Sequence, residues 1–179
     1  LYAIKPAAPV TRIFIEVWLY MSDIFFSIIS VLKNNEKTFE RMKLSLINQN
    51  FKNYEHLICI STKSTDNTFN LSKKYNDNNT EIFFEKKNIN DKFQAINFAI
   101  ERVKGKYLIL LHGDDYLVNE KILENLKETI DNNNKNYIFY SDINYVNKDY
   151  QVVRKWISIN HDKLNLYNVW KIAHTGLIL

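Results

Sequence analysis

The sequence predicts an α/β domain in which helices flank a mostly parallel β-sheet. Short apolar runs alternate with amphipathic stretches along most of the chain, and three of the runs end abruptly in polar clusters. Such alternation is typical of repeated βαβ units, in which each helix returns the chain to the start of the next parallel strand. With 179 residues and 46% apolar content, the chain is long enough for one domain with a sizeable core.

The strands are predicted from the apolar runs. In chain order they are Ile24 to Leu32, Leu57 to Ile60, Ile82 to Phe84, Tyr107 to Leu111 and Tyr137 to Tyr140. Beyond Asp142 the pattern weakens, and Tyr145 to Trp156 fits one or two shorter strands around the turn Asn147-Lys148-Asp149. Tyr107 to Leu111 has the clearest pattern of a central strand.

The helices are predicted where apolar residues recur at helical spacing. Asn35 is a plausible N-cap for a first helix from Glu36 to about Asn48, and a second runs from Asp66 to Tyr75. The third carries the stripe Phe93, Ile96, Ile100 and Val103 and is expected to end at Gly105. The fourth runs from about Asn119 to Asn132, with Ile122, Leu126 and Ile130 facing inward.

Composition excludes several classes of protein. The formal charge is +4 and the pI is near 9.0, but basic and acidic residues are interspersed, which disfavours a nucleic-acid-binding surface. The single cysteine, Cys59, lies in an apolar run and excludes an intrachain disulfide framework. The best apolar run near the start is interrupted by Glu16 and is too short to span a bilayer. We therefore expect a cytoplasmic protein that can touch the inner face of the membrane peripherally.

The two ends of the chain differ from its middle. Leu1 to Tyr20 contains both prolines, whereas the chain after it is rich in Asn, Lys and Ile. We therefore expect residues 1–20 to be an extension outside the fold and residues 21–179 to form the domain. The apolar residues Ile172, Leu177, Ile178 and Leu179 are expected to form an exposed sticky patch.

Three polar clusters are expected to meet at one edge of the sheet. They are Lys33 to Glu36, Ser61 to Thr68 and His112 to Tyr116, and each follows a predicted strand. In an open parallel sheet, ligands bind outside the carboxyl ends of the strands, where loops converge. This edge is therefore the candidate binding site.

The adjacent carboxylates Asp114 and Asp115 are the strongest candidate for a metal site. Two neighbouring carboxylates that follow a buried strand repel each other unless a cation compensates them. Mg²⁺ or Mn²⁺, completing its shell with diphosphate oxygens, would do so. The alternative is that they cap the next helix. Likewise, Asp66 is either a ligand-binding residue or only a helix cap.

Taken together, these clusters resemble glycosyltransferase family 2, the inverting enzymes with the GT-A fold, of bacterial cell-surface polysaccharide type. The likeness runs in order from Ser27 to Leu179. Its segments are the opening strand and loop Ser27 to Thr38, the turn Ser64 to Thr68, Ala95-Ile96-Asn97, Gly105-Lys106-Tyr107, the DXD-type segment Gly113 to Tyr116 and Tyr140-Ser141-Asp142.

The resemblance implies a fold, a reaction and a set of binding residues. The fold is GT-A, a Rossmann-like, mostly parallel sheet flanked by helices. The reaction moves a sugar from a nucleoside-diphosphate sugar to a hydroxyl of a glycan or lipid-linked acceptor, assisted by Mg²⁺ or Mn²⁺. Donor-binding residues would be Leu32, Lys33, Glu36, Ser61, Asp66, Lys92 and Asp114, and Asp115 would bind the metal together with Asp114.

The sequence departs from the family at two places that bear on function. Ser61 stands where the family usually has an Asp that contacts the base. The family's catalytic base usually lies beyond the segment that His174-Thr175-Gly176 resembles, so we expect a domain truncated on its acceptor side, with His174 the only weak candidate here.

Two other classes of function are alternatives to a transferase. One is a nucleotide-binding module without transferase activity. The other is a dinucleotide-dependent oxidoreductase, which is disfavoured because Gly105, Gly113 and Gly176 form no GxGxxG motif.

Overall fold

A computed structural model describes residues 23–75, 77–133, 138–158 and 177–179. The described elements, in chain order, are β1 (Phe26–Leu32), α1 (Phe39–Ile47), β2 (Tyr54–Ile60), α2 (Thr68–Lys74), β3 (Thr80–Phe84), α3 (Lys92–Ile100), β4 (Tyr107–Leu110), α4 (Ile122–Asp131), β5 (Phe139–Tyr140), β6 (Ile143–Val146), β7 (Val152–Trp156) and β8 (Leu177–Ile178). The predicted alternation of strands and helices is confirmed from Phe26 to Asp131.

The described strands form a main sheet in the order β3-β2-β1-β4-β8-β5 and a separate hairpin of β6 and β7. β3, β2, β1 and β4 are parallel, with Phe26 of β1 aligned with Tyr54 of β2 and Tyr107 of β4. β8 is antiparallel to both of its neighbours. The parallel arrangement brings the carboxyl ends of the first four strands to a single edge.

The core lies on both faces of this sheet, because successive strand side chains point to opposite sides. On one face, Phe26 and Ile28 of β1 pack with residues of α1 and α4 such as Met42 and Leu123. On the other face, Ile29 packs with Ala95 and other residues of α3. A sheet covered on both faces explains why nearly every residue of β1 and β2 is buried.

His56 is a buried histidine of β2 that forms a hydrogen bond with β1. His56 is fully buried, and its Nε2 lies 2.8 Å from the Ser30 hydroxyl. The Ser30 hydroxyl donates to the Leu111 carbonyl at 2.5 Å, so it accepts from an Nε2–H of the imidazole. Nδ1 has no hydrogen-bond partner among the described residues. Burial, and then the nearby Lys43 ammonium, lower the pKa of His56 to about 3. The ring is therefore neutral near pH 7.

Several predicted element boundaries are wrong. β1 begins at Phe26 rather than Ile24, and α1 begins at Phe39 after the N-cap Thr38, so Asn35 does not cap it. α3 ends at Ile100 and not near Gly105. Phe93, predicted to face inward, is 65% exposed.

Gly105 has a different role from the predicted helix cap. A Cβ built on Gly105 would lie 2.6 Å from the Ser27 amide nitrogen and 2.7 Å from the Phe26 carbonyl carbon. Its amide donates to the Ser27 hydroxyl at 2.8 Å. Glycine is thus required because the chain passes directly against the backbone of β1 on its way into β4.

The C-terminal elements differ in part from the expectation. The hairpin of β6 and β7 turns at Asn147 to Asp149, as predicted. Ile178 is buried and pairs with Ile109 of β4 and Phe139 of β5, so this part of the predicted sticky patch lies inside the sheet. Leu179 is exposed, and Ile172 lies outside the described residues. Among the residues described, no helix is both long enough and apolar enough to cross a bilayer.

Candidate functional site

Four loops leave the carboxyl ends of the parallel strands next to one another. We call them the β1 loop (33–38), the β2 loop (61–67), the β3 loop (85–91) and the β4 loop (111–121). All three polar clusters predicted from the sequence lie in these loops or at the start of the next helix. The predicted meeting of the clusters at one sheet edge follows from this strand order.

The β1 and β2 loops are joined by hydrogen bonds from backbone to side chain. The Asn34 amide donates to the Ser64 hydroxyl at 3.0 Å, and the Asn35 amide donates to the Thr68 hydroxyl at 2.8 Å. Asn34 holds a φ of 56°, a left-handed conformation that asparagine tolerates better than most residues. Its Oδ1 accepts from the Thr65 amide at 2.8 Å. These bonds fix the two loops as one surface.

Asp66 is the centre of this junction. Its Oδ2 accepts from the Glu36 amide at 2.8 Å, while its Oδ1 accepts from the Thr68 amide at 3.0 Å and the Thr68 hydroxyl at 2.6 Å. Partial burial raises the pKa of Asp66, but the hydrogen bonds from Thr68, Glu36 and Ser64 outweigh it, and the pKa is lowered overall. The carboxylate is thus held ionised and bonds both to the start of α2 and to the neighbouring loop, which is more than a helix cap requires.

The other predicted residues of the β1 loop point in different directions. Leu32 is fully buried at the end of β1, whereas Lys33 and Glu36 are exposed. The Glu36 carboxylate accepts from the Asn67 amide at 3.2 Å. The side chains of Lys33 and Glu36 are therefore accessible to a ligand at the sheet edge. Leu32 lies beneath them, below the protein surface.

Ser61 forms a hydrogen bond with the carboxylate of Glu85, a residue that the sequence did not identify as part of the site. Ser61 is buried at the end of β2, and its hydroxyl donates to Oε1 of Glu85 at 2.5 Å. The Thr62 amide donates to the same oxygen at 3.1 Å. Glu85 directly follows β3 in the run Phe83-Phe84-Glu85, and a charged residue placed immediately after an apolar strand is the signal that could have identified it.

The paired carboxylates lie in the β4 loop. Asp114 is exposed and Asp115 is half-buried, and the Asp115 amide donates to the His112 carbonyl at 3.0 Å. The next helix, α4, begins at Ile122 with Lys121 as its N-cap. Neither carboxylate is therefore positioned to cap that helix, and the helix-cap alternative is wrong.

Gly113 brings this loop against the β1 loop. A Cβ at Gly113 would lie 2.5 Å from Cδ2 of Leu32 and 2.6 Å from Cγ of Asn35. A side chain in this position would push the two loops apart. The Asp114-Asp115 pair is thus held close to the β1 loop by a contact that only glycine allows.

The chemistry of the paired carboxylates fits a partly hydrated divalent cation. Among the described residues, no group of three or more His, Cys, Asp or Glu side chains could enclose a metal. Asp114 and Asp115 carry carboxylate oxygens, which are hard ligands of the kind that Mg²⁺ binds. Mg²⁺ prefers one or two such ligands to a cage built only from protein groups.

A cation–π contact supports the β4 loop from α1. The guanidinium carbon of Arg41 lies 3.7 Å from the centre of the Tyr116 ring, one residue after Asp115. Planar stacking of arginine on an aromatic face restrains both side chains. Tyr116 therefore links the paired carboxylates to the helix beneath them.

Lys92 makes none of the contacts that join the described loops. Lys92 is exposed at the start of α3, and its ammonium lies 5.3 Å from the Phe93 ring centre. The loop before it is anchored to the β2 loop, because the Lys63 ammonium donates to the Ile89 carbonyl at 3.2 Å. His174 lies outside the described residues.

A family model identifies the family of this chain, and its relatives by sequence are named as glycosyltransferases. A family model described as glycosyl transferase family 2 matches residues 27–175. A β-1,3-glucosyltransferase of Escherichia coli, named as acting with UDP-Glc on α-D-GlcNAc-diphosphoundecaprenol, is 31% identical over 70% of this chain and 48% of its own length. A poly(ribitol-phosphate) β-glucosyltransferase of Bacillus spizizenii is 29% identical over 54% of this chain and 16% of its own. The chain thus spans less than half the length of these relatives.

Solved structures share the fold. TarS of S. aureus (residues 1–349), in complex with UDP-GlcNAc, superposes with a TM-score of 0.57 and 27% identity over 61% of this chain and 32% of its own. A mannosyltransferase of Pyrobaculum calidifontis, solved with GDP-Man and Mn²⁺, superposes with a TM-score of 0.52 and 17% identity over 57% of this chain and 31% of its own. At this identity, the likeness to the mannosyltransferase shows a shared fold and nothing more.

Proposed function

The chain belongs to glycosyltransferase family 2 and has its GT-A α/β fold, and from this premise we propose that it is the donor-binding part of an enzyme that transfers a sugar from a nucleoside-diphosphate sugar to an acceptor hydroxyl. The observation that carries the proposal is the convergence of Asp66, Glu85 and the Asp114-Asp115 pair on one sheet edge. The relatives that match in sequence are named as sugar transferases, and the TarS complex contains UDP-GlcNAc.

The donor would lie along the carboxyl edge of the sheet. We assign Leu32, Lys33 and Glu36 to the nucleotide pocket, Ser61 and Asp66 to the base and ribose, and Asp114 to the ribose and sugar. Lys92 is assigned to the donor as well, at the far side of the β3 loop. The rigid junction of the β1 and β2 loops around Asp66 supports this assignment, because a pre-formed surface lowers the entropy lost on binding.

The proposed reaction is a single displacement at the anomeric carbon, which inverts its configuration. Asp115, with Asp114, would hold Mg²⁺ or Mn²⁺ against the diphosphate. When bound, such an ion supplies neutralisation of the charge that develops on the departing nucleoside diphosphate. The Gly113 contact and the Arg41–Tyr116 stack orient these two carboxylates. A carboxylate base removes the proton from the acceptor hydroxyl, and His174 is a weaker candidate for an acceptor-side role.

The acceptor is proposed to be a glycan or a lipid-linked glycan. The name of the Escherichia coli relative includes a diphosphoundecaprenol acceptor, which supports a peripheral contact with the inner face of the membrane. A second candidate function is nucleotide binding without transfer. Turnover of a donor sugar by the purified chain separates the two.

The metal assignment is tested by Asp115→Asn. The amide keeps the shape of the side chain and removes its charge, so we expect Mn²⁺-dependent binding of a nucleoside diphosphate to fall at least tenfold, with the unfolding midpoint unchanged. Calorimetric titration of UDP and GDP, with and without Mn²⁺, measures this.

Asp131→Asn is the matched control, because Asp131 is an exposed carboxylate at the end of α4 that pairs with Lys127. It should leave nucleotide affinity unchanged. Equal affinities in the wild type and Asp115→Asn would refute the metal site.

A further inference from the structure

Glu85 carries a buried carboxylate at the sheet edge that is only half satisfied. The residue is 7% exposed. Its Oε1 accepts from the Ser61 hydroxyl at 2.5 Å, the Thr62 amide at 3.1 Å and the Thr62 hydroxyl at 3.5 Å. No described residue donates to Oε2, and no described lysine, arginine or histidine forms an ion pair with Glu85.

Oε2 nevertheless remains within reach of solvent or a ligand. Among the described residues, the enclosed side-chain atoms that make no hydrogen bond are Nδ1 of His56 and Nε2 of His112, and Oε2 of Glu85 is not one of them. A buried carboxylate is stable only when donors or cations compensate it. Here the protein supplies donors to one oxygen and leaves the other open.

Glu55 shows what a structural glutamate looks like in the same sheet. It is also 7% exposed, and it lies at the opposite, amino-terminal part of β2. Its Oε1 accepts from the Ser27 hydroxyl at 2.5 Å and from the Lys104 amide at 2.6 Å, while Oε2 lies 4.0 Å from the Lys104 ammonium. Both oxygens of Glu55 are therefore compensated by the protein, in contrast to those of Glu85.

We propose that Glu85 is a specificity-determining residue, whose Oε2 accepts a hydrogen bond from the imino N–H of the donor's nucleobase. This inference rests on the proposed function. Ser61 then acts as a positioning residue, because its hydroxyl holds Oε1 and so turns Oε2 toward the ligand. The chemical class selected is a nucleotide whose base carries an imino N–H, as uracil and guanine do.

The strand order supports this placement. β3 and β4 are separated by β2 and β1, which is three inter-strand spacings or about 14 Å along the edge. That span is comparable with the length of an extended nucleoside diphosphate. A diphosphate held near Asp115 at the end of β4 therefore places the base near the ends of β2 and β3, where Ser61 and Glu85 lie.

A carboxylate discriminates between bases because it can only accept hydrogen bonds when ionised. Uracil presents an N–H at position N3, whereas cytosine presents an acceptor at that position. An acceptor facing an acceptor loses the hydrogen bond and leaves both groups desolvated. Cytosine should therefore be rejected, and adenine should be rejected relative to guanine for the same reason.

The test uses Glu85→Gln and nucleotides matched in size. In this variant the amide oxygen takes the place of Oε1 against Ser61 and Thr62, so the NH₂ group takes the place of Oε2. The ligand then meets a donor instead of an acceptor. Calorimetry with Mn²⁺ gives the affinities for UDP, CDP, GDP and ADP in the wild type, in Glu85→Gln and in Glu81→Gln. Glu81 is the matched control on β3, exposed and paired with Arg102.

We expect the wild type to bind UDP at least tenfold more tightly than CDP, or GDP at least tenfold more tightly than ADP, equivalent to about 1.4 kcal/mol. Glu85→Gln should reduce that ratio at least tenfold, and Glu81→Gln should leave it unchanged. An unchanged ratio in a folded Glu85→Gln protein would overturn the inference.

A ligand-side measurement covers the case in which the variant does not fold. Methylating the imino nitrogen of the preferred nucleotide should weaken binding to the wild type at least tenfold, and equal binding of the methylated and unmethylated forms overturns the inference. If the wild type binds nucleoside diphosphates without preference, only the role of Glu85 fails. If it binds none of them, the proposed function fails and this inference fails with it.

Discussion

The guanidinium carbon of Arg41 lies 3.3 Å from the centre of the Tyr150 ring. Tyr150 is the residue in the turn of the β6–β7 hairpin that holds a φ of 63°. Arg41 also stacks on Tyr116, and the two tyrosine rings meet edge to face at 6.5 Å. One arginine of α1 therefore joins the hairpin to the loop that carries the paired carboxylates.

We expect this stack to be measurable as a coupling energy. Arg41→Ala and Tyr150→Leu should each destabilise the protein by about 1 kcal/mol, with a coupling of about 0.5–1 kcal/mol between them, the range for cation–π contacts at exposed sites. Urea unfolding of the wild type, both single variants and the double variant gives this value. Additive effects would show that the stack contributes nothing, and Arg41→Lys, which keeps the charge without the planar group, should recover little.

The buried neutral His56 makes stability depend on pH. Its pKa is about 3 in the folded protein and 6.5 when unfolded, so between these values the unfolded chain binds a proton that the native chain does not. The free energy of unfolding should therefore fall as pH falls from 6.5 toward 4, by up to about 1.4 kcal/mol per pH unit from this group.

His56→Gln removes the titrating ring and keeps a donor for Ser30. Urea unfolding at several pH values should show a shallower loss of stability for this variant than for the wild type in that window. Parallel pH profiles for the two proteins would contradict the assignment of a neutral buried ring.

Asp66 also makes stability depend on pH, in a lower pH range, because its hydrogen bonds stabilise the charged form of the side chain. The pKa of Asp66 in the folded protein is lowered below its ordinary value of 3.8, so its stabilising effect is complete above that value and is lost as pH falls through the folded pKa. Asp66→Ala should cost about 1–2 kcal/mol at pH 7, since charge-assisted hydrogen bonds are lost. The stability difference between the wild type and the variant should shrink below about pH 3.8. A difference that is constant from pH 7 to pH 3 would argue against an ionised junction.

Substitution of two glycines should affect the stability of the protein to different extents. Gly105→Ala places a Cβ against the backbone of β1, which cannot easily move, and should cost about 3 kcal/mol or more. Gly113→Ala meets the side chains of Leu32 and Asn35, which can shift, and should cost about 1–2 kcal/mol.

Because Gly113 precedes the paired carboxylates, its variant should nevertheless weaken Mn²⁺-dependent nucleotide binding. Thermal unfolding and calorimetry on the same two samples test this order. Equal stability losses, or unchanged nucleotide affinity in Gly113→Ala, would contradict it.

The strands and the site edge could be predicted because they depend on local pattern. A sheet covered on both faces needs continuous apolar strands, and polar residues must follow where those strands end. The helix ends were harder, because Ile100 and Val103 continue the apolar spacing although the helix stops at Ile100. The role of Gly105 depends on its approach to β1, a contact distant in sequence.

The predicted site was incomplete for the same reason. In the sequence, Ser61 indicates only that the family's carboxylate is absent, yet the structure places Glu85, which directly follows the neighbouring strand, against the Ser61 hydroxyl. Ser61 and Glu85 are 24 residues apart in the chain, so the spacing of residues in the sequence does not reveal their contact. Burial of Ile178 likewise depends on pairing with β4 and β5, which the apolar residues near the end of the chain do not reveal.

The position of β3 as the outermost described strand on one side of the sheet has a consequence for solubility. An outer strand can present unpaired backbone groups on which another copy of the chain could add a strand. β3 has only five residues, and it carries the exposed Glu81 near its start. A short strand with an exposed charge offers little edge for another copy to pair with, which disfavours aggregation along the strand that flanks the candidate site.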